Sequence, residues 1–167
     1  FNVDKLNSIL DDYIFISFLI GNDFLPHLQG FSLRENGLNI LLEKYTELYA
    51  IYEQNLVYKN NINWNFLKVY FTELKQMEND LLLKMSKKRK KFKLRRQYEN
   101  SYEQKKDLLN NYPILNQEKE KYIDIGTKNW KYRFYRKTMN IYDDEDLHNC
   151  CLNYIRGLKW TFDYYFK

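Results

Sequence analysis

The chain is short of residues that interrupt helices. Five glycines and two prolines occur in 167 residues, and the stretch between Gly37 and Pro113 contains neither. That scarcity favours helices throughout. Cysteine is equally scarce: Cys150 and Cys151 are adjacent, which rules out a disulfide framework, and no Cys/His spacing suggests zinc. A reducing, intracellular compartment fits. The longest apolar run, around Ile14 to Ile20, is far too short to span a bilayer. No signal peptide is present, and Phe1 in place of Met leads to the expectation of a start inside a longer protein. Alanine occurs once, at Ala50, while Asn and Lys abound, as AT-rich coding produces. The 16 tyrosines are therefore not taken as a sign of base stacking.

An apolar share of 44% can bury a sizeable core, and the length is that of one domain. The net charge of +5 is concentrated in one place. Lys84 to Arg96 holds nine Lys and Arg and no acid, so the rest of the chain is acidic by four charges. The centre of this run, Lys87, Lys88, Arg89, Lys90 and Lys91, has two readings. One is a strip that follows an RNA backbone by displacing counterions. The other is a solvated helix face or a nuclear-import patch.

The most informative stretch is residues 13 to 27, where the apolar run ends on Gly21, Asn22 and Asp23, followed by Phe24, Leu25, Pro26 and His27. A segment as apolar as Ile14 to Ile20 has no face for water and is expected to be buried on all sides. Gly21 can take the left-handed conformation that closes a helix, and Pro26 prevents helix from resuming at once. Asp23 is thus expected at a rigid, largely buried corner. An ionised carboxylate there needs a positive partner: an Arg or Lys, backbone N–H groups, or a bound cation.

Three segments carry a resemblance. Ile9 to Tyr13, Phe18 to His27 and Leu33 to Asn36 closely resemble the signature block of the XRN-type 5'-to-3' exoribonucleases. Asn129 to Tyr135, Tyr154 to Trp160 and Tyr164-Tyr165 resemble a later segment of the same family, in the same order. The resemblance is strong over residues 9 to 45 and 128 to 166 and weak between them. It implies a Mg²⁺- or Mn²⁺-dependent enzyme that removes nucleotides one at a time from RNA bearing a 5'-monophosphate. Asp23 matches the family's last acidic metal ligand, and the other acids lie upstream of this block. The chain then resembles a helical fragment of a larger α/β nuclease domain, inert alone and partnered by the remaining nuclease core. Separated from that core, it is expected to show apolar surface and to self-associate. Arg34-Glu35-Asn36, the basic run and the Trp130 segment resemble the nuclear branch more than the cytoplasmic one. Asp11 and Asp12 match an acidic pair expected to hold the Asp23 corner through basic or backbone partners, with Arg34 a candidate to pair with them. Asn22 is expected to support the corner. His27 is expected to be hydrogen-bonded and structural, with phosphate contact as the alternative.

The remaining chain gives an all-α fold of about five to six helices, one of them long. Helices are expected at residues 4 to 20 and, amphipathic, within 33 to 52, with a connecting loop at 53 to 62. Another helix, capped by Asn63 or Asn65, continues from about residue 63 to 109, roughly 70 Å. Residues 84 to 117 form a basic helix extension and a variable linker with a turn at Pro113, within a single helical portion covering residues 1 to 167. In Trp130 to Lys137, aromatic and basic residues alternate. They suit base stacking and phosphate binding, or an amphipathic helix with Trp130, Phe134 and Tyr135 in the core, which is preferred. The acids at Asp143 to Asp146 start a last helix, whose mid-helix Gly157 implies close packing against another element.

Overall fold

The structure, a computed structural model, describes residues 3–92, 97–115 and 117–167. Among them are seven α-helices, a single 3-10 turn and one two-stranded hairpin, slightly more helices than the sequence pattern implied. The chain divides into two compact units. One comprises the residues up to Leu81 together with Glu145–Lys167, and the other Leu82–Asp144.

The first unit is built on α1 (Val3–Phe18), α2 (Gly37–Tyr52), the first part of α3 (Trp64–Lys91) and most of α7 (Asp144–Phe166). Its core joins Phe15, Ile16 and Leu19 to Leu41, Phe66, Tyr70, Leu158 and Phe162. Each of these large apolar side chains contributes about 1.5–3 kcal/mol by leaving water. Burial of the apolar run is not complete, however, since Ile14 is 41% exposed at the outer side of α1. A helix packed on one side leaves a stripe for water even where the sequence offers no polar residue to fill it. Asn63 caps α3 as expected, its Oδ1 accepting from the Phe66 N–H at 3.1 Å.

The stretch expected to be a loop contains a hairpin. β1 (Val57–Tyr58) pairs antiparallel with β2 (Asn61–Ile62), with Val57 opposite Ile62. Lys59 and Asn60 between them both take positive φ, 48° and 55°, the conformation of a two-residue hairpin turn. Lys-Asn lacks the glycine that usually announces such a turn, so the sequence masked it.

The second unit departs further from expectation. α3 ends at Lys91 instead of running to residue 109, and a separate helix, α4 (Ser101–Leu115), includes Pro113 within its last turn. Like charges three and four residues apart repel, and the apolar stripe that would hold the helix down has thinned by this point. The end of the basic run, residues 93–96, lies outside the described residues. The region expected as linker is thus largely helical, because no packed partner is needed to stop a breaker-poor segment from coiling. α5 (Glu118–Ile123) and α6 (Trp130–Met139) follow. Trp130, Phe134 and Tyr135 are half-buried, and no residue of α6 is fully buried, so these rings do not form the core expected of them. Arg133 instead does the joining. Its guanidinium donates to the Ile123 carbonyl at 3.0 and 2.8 Å, to the Lys128 carbonyl at 2.8 Å and to Thr127 Oγ1 at 2.5 Å. A cation at the carbonyl end of α5 also meets the negative pole of that helix.

Candidate active-site corner

The chain leaves α1 through a tightened turn. Leu19, Ile20 and Gly21 donate to the carbonyls three residues back, the last at 3.2 Å. Gly21 then takes φ +98°, and a Cβ there would lie 3.0 Å from the His27 backbone nitrogen. Only glycine fits both demands. Asn22 Oδ1 accepts from Phe24 N–H at 2.8 Å and Leu25 N–H at 3.0 Å, while the Asn22 N–H reaches the Leu25 carbonyl at 3.0 Å. Leu28 N–H returns to the Leu19 carbonyl at 2.9 Å, and His27 Nδ1 lies 2.8 Å from the Leu28 carbonyl. Asn22 and His27 thus lock the backbone on either side of Asp23, as side chains that imitate turn hydrogen bonds do.

Asp23 itself is exposed, which corrects the expectation of a buried carboxylate. The turn explains it: with Asn22 folded inward onto the backbone of Phe24 and Leu25, the next side chain is tipped out toward water. Solvation removes the need for a protein cation. Its carboxylate meets no hydrogen-bond donor or cation among the described residues. Leu25 anchors the corner from beneath, against Gly157 of α7, where a Cβ would stand 2.8 Å from Leu25 Cδ2. The close packing expected of Gly157 is therefore present, and its partner is the residue two positions after Asp23.

The acidic pair upstream divides. Asp11 is half-buried, whereas Asp12 is fully buried and holds a different part of the fold from the one expected. Its Oδ1 accepts from Val57 N–H at 2.7 Å, and its Oδ2 from Asn55 Nδ2 at 2.8 Å and from the Tyr45 hydroxyl. It therefore ties α1 to α2 and to the hairpin, not to the Asp23 corner. Burial pushes the Asp12 carboxyl above its usual range, against the lowering effect of the bonds from Tyr45, Val57 and Asn55. The Tyr45 phenol is raised too, first by burial and then by the Asp12 carboxyl. Arg34 sits exposed on the 3-10 turn (Leu33–Glu35) and does not pair with Asp12, whose acceptors are taken by neutral donors and a backbone amide. Tyr45 and Asn55 were missed as partners because one resembles any core aromatic at helical spacing and the other any loop asparagine.

Within the second unit the basic run is partly committed. Arg89 pairs with Glu120 at 2.5 Å and Lys90 with Asp124 at 3.0 Å. Lys87, Lys88 and Lys91 are exposed, and Lys87 and Lys91 make no ion pair among the described residues. These charges belong to a different compact unit from Asp23.

Among the described residues, no group of three or more His, Cys, Asp or Glu could hold a metal ion. Magnesium takes oxygen ligands in octahedral array, so Asp23 fits as one ligand and the chain does not complete a site. Nor is any described helix long and apolar enough to cross a membrane.

The fold and corner thus define a helical segment that presents one rigidly mounted carboxylate and leaves its ligand set unfinished. The profile of the Xrn1 helical domain matches residues 3–124, most of the chain, and the chain belongs to that family. The later segment noted from residue 128 lies beyond that match. The 5'-3' exoribonuclease 2 homolog of Drosophila melanogaster is 30% identical over 86 residues, which cover 52% of this chain and 10% of that protein. The 5'-3' exoribonuclease 2 of Arabidopsis thaliana is 29% identical over 80 residues, 48% of this chain and 8% of that protein. The 5'-3' exoribonuclease 1 of Schizosaccharomyces pombe is 34% identical over 76 residues, 46% of this chain and 6% of that protein. The matched part of this chain thus spans a tenth or less of each of these relatives.

Proposed function

We propose that this chain is the helical part of a 5'-to-3' exoribonuclease acting on RNA with a 5'-monophosphate, in which Asp23 is one oxygen ligand of Mg²⁺ or Mn²⁺. The other acids come from the remaining nuclease core of the same polypeptide, and the chain by itself is inert. The observation that carries this reading is the exposed Asp23 carboxylate, mounted on a corner locked by Gly21, Asn22 and His27, within a family segment whose relatives are named exoribonucleases. A divalent ion bound there supplies charge stabilisation at the scissile phosphodiester. The residues of this chain do the positioning: Asn22 fixes the backbone that carries Asp23, and Leu25 seats that backbone on α7. Asp12 secures the hairpin and α2 behind it. Site of action is the nucleus, on the strength of the basic run at Lys84 to Arg96.

The test is degradation of 5'-monophosphate RNA by the full-length parent in Mg²⁺, wild type against Asp23→Ala, with both proteins checked for folding. A rate loss of several powers of ten with RNA affinity largely kept is expected of a metal ligand. Unchanged activity would make Asp23 a turn residue.

A second reading is a noncatalytic RNA-binding or scaffold module led by Lys87, Lys88 and Lys91, favoured by the lack of acidic partners for Lys87 and Lys91. It predicts steeply salt-dependent RNA binding that survives Asp23→Ala.

A further inference from the structure

Three aromatic rings stand in the open beside Asp23. Phe24 is 44% exposed, Trp160 54% and Tyr164 61%. They form one cluster: Phe24 meets the Trp160 ring edge-to-face at 4.9 Å and the Tyr164 ring at 5.3 Å, and Trp160 stacks on Tyr164 at 5.7 Å. Single exposed aromatics are ordinary, but contiguous ones rimmed by polar residues mark interaction sites. The cluster is also rigid. Phe24 belongs to the locked corner, and Trp160 and Tyr164 lie one turn apart on α7, so little side-chain freedom remains to be lost on contact.

We infer that the Phe24, Trp160 and Tyr164 face is the surface on which the acid-bearing remainder of the parent polypeptide docks, bringing its carboxylates to Asp23. This rests on the reading of Asp23 as a metal ligand. The occupant follows from three facts. The described residues hold no second and third ligand near enough to share an ion with Asp23, so the others arrive from elsewhere. The relatives are about ten times longer than the segment they share with this chain, so the same polypeptide has ample material to supply them. And Phe24 is bonded directly to Asp23, so a body placed to share an ion with that carboxylate passes over its ring. A stacking platform for RNA fits less well. Such platforms combine aromatic rings with cations that hold the backbone, and here Lys159 and Lys167 are both engaged by Asp163, while Arg156 donates to Asn153.

Hydroxyl-radical footprinting of the full-length parent, read residue by residue by mass spectrometry without RNA, tests this. Trp64, 44% exposed in this unit, is the reference. Trp160 is expected to be oxidised at least ten-fold more slowly than Trp64, and Tyr164 to be protected with it. In addition, Trp160→Ser is expected to weaken Mn²⁺ binding by the parent at least ten-fold, with Trp160→Phe restoring most of it. Equal oxidation of Trp160 and Trp64, or protection of Trp160 that appears only when RNA is added, would overturn the inference. Failure of the metal-ligand reading is seen separately, as retained RNA degradation by Asp23→Ala.

Discussion

Leu25 fills the notch that Gly157 leaves in α7, with its Cδ2 2.8 Å from where a Cβ on Gly157 would stand. The contact sets how the corner carrying Asp23 meets the helix carrying Trp160. Alanine at 157 pushes on the far end of one leucine but gains about 1 kcal/mol of helix propensity, so Gly157→Ala is expected to change stability by less than about 1 kcal/mol. Valine has nowhere to place its second methyl. Gly157→Val is expected to cost about 1–3 kcal/mol in urea denaturation, as overpacked cores do. Equal stability of the Val variant would show that the notch is loose.

Asp12 is expected to be the most sensitive polar position in the first unit. Asp12→Ala strands the Tyr45 hydroxyl, the Asn55 amide and the Val57 N–H together, a loss of about 3 kcal/mol or more by denaturant titration. Tyr45→Phe removes one bond of the three and is expected to cost about 1–2 kcal/mol.

The same residue gives a pH signature. Burial raises the Asp12 carboxyl above its unfolded value of 3.8, so its contribution to stability is complete below that value and is lost as pH rises through the folded-state value. The stability advantage of wild type over Asp12→Asn is expected to be larger near pH 3.5 than at pH 7. Other titrating groups cancel in the comparison. An advantage that grows with pH would mean the three hydrogen bonds outweigh desolvation. Asp163 works in the opposite sense: Lys159 and Lys167 hold it low, and its contribution is lost as pH falls through its folded-state value.

Arg133 is expected to hold α5 and α6 together. Arg133→Lys keeps the charge but cannot span the Ile123 and Lys128 carbonyls and Thr127 at once, so it should behave nearly as badly as Arg133→Ala. Amide hydrogen exchange across residues 118 to 139 is expected to quicken by about ten-fold or more, corresponding to about 1.5 kcal/mol.

If the basic run follows RNA, the uncommitted lysines carry it. Lys87→Glu with Lys91→Glu in the full-length parent is expected to weaken RNA binding about ten-fold at low salt and to reduce the salt slope by about 2. Arg89→Ala, by contrast, breaks the pair with Glu120 and is expected to show mainly as local loosening of α5. A larger binding defect in Arg89→Ala than in the double variant would reverse this assignment.

The sequence by itself determined the helical class, the family, the turn at Gly21, the cap at Asn63, the acidic start of α7 and the tight contact at Gly157. Each of these is a local demand, on a backbone angle, a helix end or the space beside one Cα, and local demands are written in residue types and short spacings. Only the tertiary structure decided that Asp23 faces water and that Asp12 clasps the hairpin instead of the corner. It alone ended α3 at Lys91 and gave Arg133, not Trp130, the task of joining α5 to α6. Those outcomes depend on what lies opposite a side chain across the fold. Asp12 finds Tyr45, Asn55 and Val57 33 to 45 residues away. No periodicity in α1 encodes partners brought near only by packing.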